Sequence, residues 1–512
     1  MRTSGVLNLL GKLLMVLSLT LIVPIPFSLY YDDGMLRTFV LSSLIGAGCG
    51  GLLLLLFPPE EDLGYREGFA IVTLSWLAMA LLGALPFYIS GEIPAFIDCY
   101  FEAMSGFTTT GSTILVTVEV LPKSLLFWRS LTHWLGGMGI IVLTIAIMPL
   151  LKVGGTQLFH AEMPGPTKDR LAPRIQGTAR ILWTVYVFLT VIEMILLMAG
   201  GMDFFDAICH AFATLATGGF STHTASIAYF DSAYVEGVII VFMLLAGMNF
   251  TLHFHAMTGN FRTVIKNEEL RFYLAIVLLS TLIITVAATL ADPAANLAKH
   301  FRDALFIVST IITTTGFGTV DYELWPPVCL MVIVVLMFIG GCAGSTSGGI
   351  KDVRILLLFK YALLQLRRLV HPHQVQTIKL GATRVPQEIL IAILGFFALY
   401  LVFFFLASIV VTATGVDILT GTSAVITTLS NVGPGFKVVG PTQNFSTLPE
   451  LAKIVLIICI EAATPEIYTV VVLLTPAFWR MARKPSLRTF SLYNKQSGPA
   501  ARATASKDLR HE

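Results

Sequence analysis

Charge is what this 512-residue chain has least of: 12% of its residues are Asp, Glu, Lys or Arg, against 55% hydrophobic. A soluble domain of that composition would lack the polar residues to cover its apolar side chains, so a soluble enzyme or binding module is excluded. A mean hydropathy of +0.81 instead points to an all-α polytopic membrane protein that shows apolar surface to lipid. Cysteine is sparse and scattered. Cys49, Cys99, Cys209, Cys329, Cys342 and Cys459 form no CxxC pair, which excludes a disulfide framework and a zinc site. Also missing are a phosphate-binding glycine loop, a dinucleotide fingerprint and a nucleophile elbow. No enzyme is expected, and no cofactor of its own. The net charge of +2 gives no reason to expect nucleic acid as a partner. Arg2 and Lys12 precede an apolar run without a convincing small-residue cleavage site, so a first membrane helix is expected there rather than a leader.

What the chain does have is a phrase repeated four times. The copies are Phe107–Thr113 (FTTTGST), Ala216–Ser221 (ATGGFS), Thr313–Gly318 (TTTGFG) and Ser430–Gly435 (SNVGPG). In the first three an aspartate stands thirteen positions before the aligned glycine: Asp98 to Gly111, Asp206 to Gly219, Asp303 to Gly316. The fourth holds Thr420 there, with Asp417 nearby. A fixed period of this kind marks a repeat architecture, where a single Thr-Gly turn would mean nothing.

Around each copy runs the same order: long apolar segment, short apolar segment, glycine phrase, long apolar segment. Spanning lengths fall at about 9–30, 36–57, 68–90, 125–150, 178–201, 233–258, 270–291, 327–350, 386–413 and 450–479, which makes roughly ten spans. The expected parts are residues 1–64 as two extra N-terminal helices, then 65–155, 175–262, 267–366 and 384–484 as four pore repeats, and 485–512 as a disordered tail. The short segments fall below spanning length and are expected to be re-entrant. Lys and Arg gather at 152–180, 262–271, 351–384 and 480–488, all on one side of that topology. Positive charge marks the cytoplasmic side, so both termini are expected there, with the four loops dipping in from outside.

Non-helical backbone at membrane depth persists only where it is buried in protein or lines water. Four glycine-bearing loops around one axis would aim backbone carbonyls at a dehydrated cation. Thr110 and Thr315 would add hydroxyl oxygens. Asp98, Asp206 and Asp303 are expected to cap the outer, positive ends of the short helices. Arg129 and His133, four apart on one helix face, suit pairing within the bundle. His253 and His255 have no third ligand nearby, which argues against a metal site. His371 and His373 fall in the basic loop and read as solvated surface.

The stretch Phe127–Gly139 (FWRSLTHWLGGMG) resembles the signature of the Trk/Ktr/HKT superfamily of potassium transporters, and within it is most similar to bacterial Trk membrane subunits. Gly340–Lys351 (GGCAGSTSGGIK) resembles the same family's third-repeat motif. The resemblance covers nearly the whole chain. It implies four helix–pore loop–helix repeats in pseudo-fourfold arrangement, paired as a homodimer in a bacterial inner membrane. It implies a potassium selectivity filter at Thr110-Gly111, Gly218-Gly219, Thr315-Gly316 and Val432-Gly433, with K⁺ as transported ion. Glycine at all four places, Gly111 included, goes with potassium in that family. It further implies a gating loop at Gly340, Gly341, Gly344, Ser345, Thr346, Ser347, Gly348, Gly349 and Lys351, and a separate cytosolic nucleotide-binding ring subunit. Such a run of small residues also suits a plain packing face. The chain departs in its last helix. The family usually carries Gly-Arg-Leu-Glu there, and Ala463-Thr464-Pro465-Glu466 stands in its place, without the arginine.

Membrane lipid is a further expected partner of the basic loops, and the ring subunit is expected at Lys360–Arg384 and Lys152–Arg180. Two other classes compete: a secondary transporter of a small solute with a broken-helix binding site, and a membrane-embedded enzyme, for which no convergent catalytic cluster is seen.

Overall fold

The computed structural model describes residues 3–60, 63–150, 175–293, 296–371, 377–464 and 467–479. The fold is helical almost throughout; among these residues the only sheet is a two-stranded hairpin pairing Lys379–Leu380 with Thr383–Arg384. Helices Thr3–Tyr31, broken near Thr20, and Leu36–Leu56 come first. The order long helix, short helix, loop, second helix then occurs four times. The long helices are Tyr65–Ser90, Ile175–Ala199, Glu268–Ala291 and Gln387–Ala413. The short ones are Phe96–Phe107, Phe204–Leu215, Leu297–Ile312 and Ile418–Leu429, and the second helices begin at Lys123, Ala233, Pro327 and Glu450.

The short helices end in one register. Their last residues, Phe107, Leu215, Ile312 and Leu429, are fully buried, and the aspartate-aligned residues all sit nine places earlier. Twelve helical residues reach about 18 Å, too little to cross a bilayer. The third is longer by four residues at its start, where Asn296 accepts from the Ala298 N–H. Outside the bundle the chain is apolar: Leu55 is 85% exposed and Tyr30 81%, which a polar solvent would penalise and lipid would not.

Besides the first, three of the expected spans are interrupted. The run at 233–258 is two helices, Ala233–Ala246 and Phe250–Met257, bent by 104°. At the bend Gly247 is closely packed, its Cβ position lying 2.7 Å from the Tyr273 hydroxyl and 2.8 Å from Thr313 Cγ2, and Asn249 caps the second piece through the Thr251 N–H. The run at 327–350 is helical only over Pro327–Phe338; residues 339–351 form an irregular loop before helix Asp352–Val370. The run at 450–479 divides into Glu450–Ala463, Ile467–Leu474 and Pro476–Trp479. Among the described residues, six helices are long and apolar enough to span, or up to eight if each bent pair is one span. The expected disordered tail and the basic loop at 152–174 lie outside the described residues.

Two apolar clusters hold the bundle. One joins the N-terminal helices with the first and fourth repeats through Phe39, Phe101, Phe107, Trp128 and Leu456. The other joins the second and third through Met243, Tyr273, Phe306, Ile333 and Met337.

Candidate ion-conducting site

Each short helix stops the same way. Thr109, Thr217, Thr314 and Asn431 adopt φ between 54° and 59°, the left-handed region, one residue past the cap. The next amide then reaches back five residues: Thr110 N–H to the Ser105 carbonyl at 2.9 Å, and Gly218, Thr315 and Val432 to Ala213, Thr310 and Thr427, each at 2.8 Å. This is a Schellman ending, in which orphan carbonyls find partners. Glycine or asparagine usually stands at its left-handed place; three threonines there each cost about 1–2 kcal/mol. Such strain persists only where the surroundings enforce it.

The aligned glycines follow, again at positive φ: Gly111 and Gly219 at 79°, Gly316 at 85°, Gly433 at 97°. What surrounds them explains why no other residue fits. A Cβ on Gly111 would collide with the Gly218 carbonyl, one on Gly219 with that of Thr315, and one on Gly316 with that of Val432. Their carbonyl carbons would stand only 3.3, 2.9 and 3.4 Å away. Gly433 completes the circuit, its Cβ position lying 3.0 Å from the Thr110 carbonyl oxygen. Each loop thus abuts the next, and the fourth abuts the first. The eight expected filter residues are brought together by this closed contact.

Gly111, Gly219, Gly316 and Gly433 open jointly onto one cavity, also lined by Ser221 and Gln443. The threonine hydroxyls turn to protein partners: Thr110 Oγ1 lies 2.9 Å from Asn431 Oδ1, and Thr315 Oγ1 lies 2.8 Å from Thr313 Oγ1.

The three aspartates are not caps. Asp98 and Asp206 stand third in their helices and Asp303 seventh; the residues before those helices are Ala95, Asp203 and Asn296. Asp203 caps the second helix, accepting from the Asp206 N–H at 2.7 Å. Asp98 and Asp206 instead reach sideways. Asp98 pairs with Lys453 Nζ at 2.6 Å, tying the first repeat to the last, and Asp206 accepts from Thr222 Oγ1 at 2.7 Å and pairs with His223 Nε2 at 3.0 Å. In the fourth repeat the helix-capping residue is Asp417, which accepts from the Thr420 hydroxyl and from Lys437; these bonds hold its carboxyl down at about 2, so the cap stays charged at physiological pH. Beside the cavity-lining Thr224, burial pushes Glu119 up, but hydrogen bonds from Thr224 outweigh it and leave the carboxyl below its usual range.

The loop 339–351 takes no part in lining that cavity and packs against the ends of the short helices. Thr346 Oγ1 donates to the Leu215 carbonyl at 3.1 Å, and the Gly348 N–H donates to Thr314 Oγ1 at 2.7 Å. A Cβ on Gly348 would come within 2.7 Å of Asn431 Cβ. The loop therefore touches the inner ends of the second, third and fourth short helices. Its ends are pinned by the Gly340 N–H to Ile350 carbonyl bond at 2.9 Å, and Lys351 Nζ donates to the Ser347 carbonyl. Gly341 backs onto the Gly247 carbonyl, and Gly344 and Gly349 hold positive φ. Ser345 Oγ donates to the Cys342 carbonyl.

A family profile described as TrkH, cation transport protein, matches residues 37–480. The chain belongs to the TrkH family. It is 42% identical over 487 residues to the Trk system potassium uptake protein TrkH of Escherichia coli K12, covering 94% of this chain and all of that one. It is 43% identical to the TrkH of Halomonas elongata over 93% of this chain and 99% of that one. Among solved structures, the potassium transporter TrkH from Vibrio parahaemolyticus aligns with a TM-score of 0.86 at 38% identity, covering 94% and 100% of the two chains. The all-α polytopic membrane class expected from composition is thereby established for this TrkH-family chain.

Several site residues were not singled out from sequence. Thr109, Thr217 and Thr314 carry no signal, since threonine is a poor left-handed residue. Asn431 does carry one, asparagine being tolerant of that region, and its Nδ2 also comes within 3.4 Å of Thr464 Oγ1. Glu102, fully buried against Arg129 at 2.6 Å, went unremarked although a carboxylate inside an apolar helix is a warning of function.

Proposed function

We propose that this chain conducts potassium into a bacterial cell across the inner membrane, with the carbonyls around Gly111, Gly219, Gly316 and Gly433 as its selectivity filter. The observation that carries the reading is the closed circuit of glycine-to-carbonyl contacts. Four converging backbone strands replace the water shell of a dehydrated cation, and their inflexible spacing sets which ion is matched. The relatives' names specify potassium uptake. The four short helices point their negative C-terminal ends at the same place, which favours a cation there.

In this reading the loop 339–351 is the gate. It lies beneath the ring and crosses the inner ends of three short helices. Residue 464, where the family's arginine would stand, offers a hydroxyl, so the inner face of this filter lacks that positive barrier. The chain works as a homodimer with both termini in the cytoplasm, and a nucleotide-binding ring subunit docks on the basic segment Lys360–Arg384. That segment is organised: Lys360 pairs with Glu268 and donates to the Lys379 carbonyl at 2.8 Å, holding the hairpin against the bundle.

The test is Gly111→Ser in reconstituted vesicles. A side chain at Gly111 must displace the Gly218 carbonyl, so potassium-over-sodium preference should fall; a preference equal to wild type would remove the ring as the filter.

A further inference from the structure

The four junctions between neighbouring loops are not alike. At the first, a buried polar assembly connects the first short helix, the helix Lys123–Leu150 and the second loop. Arg129 Nε pairs with Glu102 Oε1 at 2.6 Å, and its Nη1 donates to the Ser221 carbonyl at 2.9 Å. One turn further along, His133 Nδ1 donates to the Gly106 carbonyl at 2.7 Å, and the ring presses on Gly218, whose absent Cβ would lie 2.5 Å from His133 Cγ. Phe220 serves both: the Arg129 guanidinium stands 3.5 Å from its ring centroid and the His133 ring stacks at 4.0 Å. Glu102 and Gly106 are themselves four apart. The result is two parallel struts, one turn apart, each running from the first short helix through one side chain to the second loop.

Gly137 and Gly247 fix the comparison, since each packs on the cap residue of the next short helix, Ala216 and Thr313. Four and eight places before Gly247 stand Met243 and Ile239, and the same places before Gly341 hold Met337 and Ile333, all fully buried. At those two helix positions the third and fourth loops therefore have apolar neighbours, and the fourth takes its directional bonds from elsewhere, Ser112 Oγ donating to the Gly433 carbonyl at 3.1 Å and the Tyr322 hydroxyl to the Gly435 carbonyl at 2.6 Å. The second loop is held by directional bonds, one of them from a guanidinium fork that reads two acceptors at once.

We infer that Arg129 and His133 are positioning residues that fix the Gly218 carbonyl, and through it Gly111, so that the second loop is the reference against which the other three are set. The inference rests on the filter reading. It also explains why the second copy of the phrase has two glycines where the first and third have Thr-Gly: the His133 ring occupies the space a side chain at 218 would need.

A purely structural role and a positioning role separate in one variant. Replacing a buried ion pair by residues that leave no uncompensated charge is often neutral for stability. Arg129→Met with Glu102→Gln removes both charges, keeps acceptors for the Thr113 hydroxyl and Ile114 N–H that Glu102 now binds, and deletes the donor to Ser221. The full chain, purified and reconstituted, should keep its wild-type elution profile and melting temperature. Its potassium-over-sodium uptake ratio should fall about tenfold, the worth of one lost charged hydrogen bond. An unchanged ratio in this variant, with the ratio lost in Gly111→Ser, overturns the positioning role and leaves the filter intact. An unchanged ratio in both overturns the filter reading itself. Should the double variant fail to fold, Arg129→Lys decides the matter: it keeps a charge for Glu102 but not the fork, so a wild-type ratio there also overturns the proposal.

Discussion

The glycine ring and the loop 339–351 use the same residue for the same purpose, close backbone approach, yet they are held in opposite ways. Every ring strand is anchored by its own helix, through the five-residue reach of Thr110, Gly218, Thr315 and Val432. The loop finds many of its partners elsewhere: the Cys342 N–H on the Gly247 carbonyl, the Gly344 carbonyl on the Phe250 N–H, Thr346 on Leu215, Gly348 on Thr314. Bonds to a strand's own helix are lost only if that helix unwinds. Bonds between elements are lost when one element slides, and other donors or water replace them at a net cost of about 1 kcal/mol each. Close packing alone makes neither region rigid; the source of the partners does.

Substitutions at the glycines test that contrast most severely. Gly219→Ala should abolish uptake, since the new methyl collides with the Thr315 carbonyl and the backbone holds a φ of 79°. Growth of a potassium-uptake-deficient strain at low potassium reads this directly, and growth like wild type would show the ring to be pliable. Gly348→Ala meets the Ser430 carbonyl oxygen at 2.5 Å and Asn431 Cβ at 2.7 Å, so the loop must shift away from the fourth short helix. Flux should change several-fold while the potassium-over-sodium ratio holds; a changed ratio would erase the distinction between the regions. Thr314→Val removes one bond, to the Gly348 N–H, and should favour the displaced loop by about 1 kcal/mol, roughly fivefold in basal flux. Gly318→Ala sharpens the comparison from below. Its Cβ would meet nothing nearer than the Pro441 carbonyl at 4.0 Å, so uptake and melting temperature should match wild type.

Much of this was legible beforehand because the repeat is written in the sequence. The position of the aligned glycines follows from the spacing of Gly111, Gly219 and Gly316, and low charge content sufficed for the membrane class. Helix continuity was less legible. Periodicity does not distinguish an unbroken span from one bent at Gly247, because both keep the same apolar pattern along the sequence. The role of the three aspartates was misjudged for a similar reason. Helix N-termini favour acids generally, but whether an acid caps or reaches sideways depends on Lys453 and His223, distant in sequence. Arg129 and His133 showed the shared face, but not the loop they read.

The bond from Thr314 Oγ1 to the Gly348 amide has a further implication. Thr314 immediately precedes Thr315, whose carbonyl belongs to the cage of the proposed filter, so the Thr314 hydroxyl ties that cage to the loop 339–351. If the loop moves as a gate, that hydroxyl changes partner, and the cage is different in the two positions. Free energy then flows both ways: whatever favours one position of the loop alters the ion's affinity, and occupancy by the ion biases the loop by the same factor. If the proposed filter and gate hold, the cargo is also an effector.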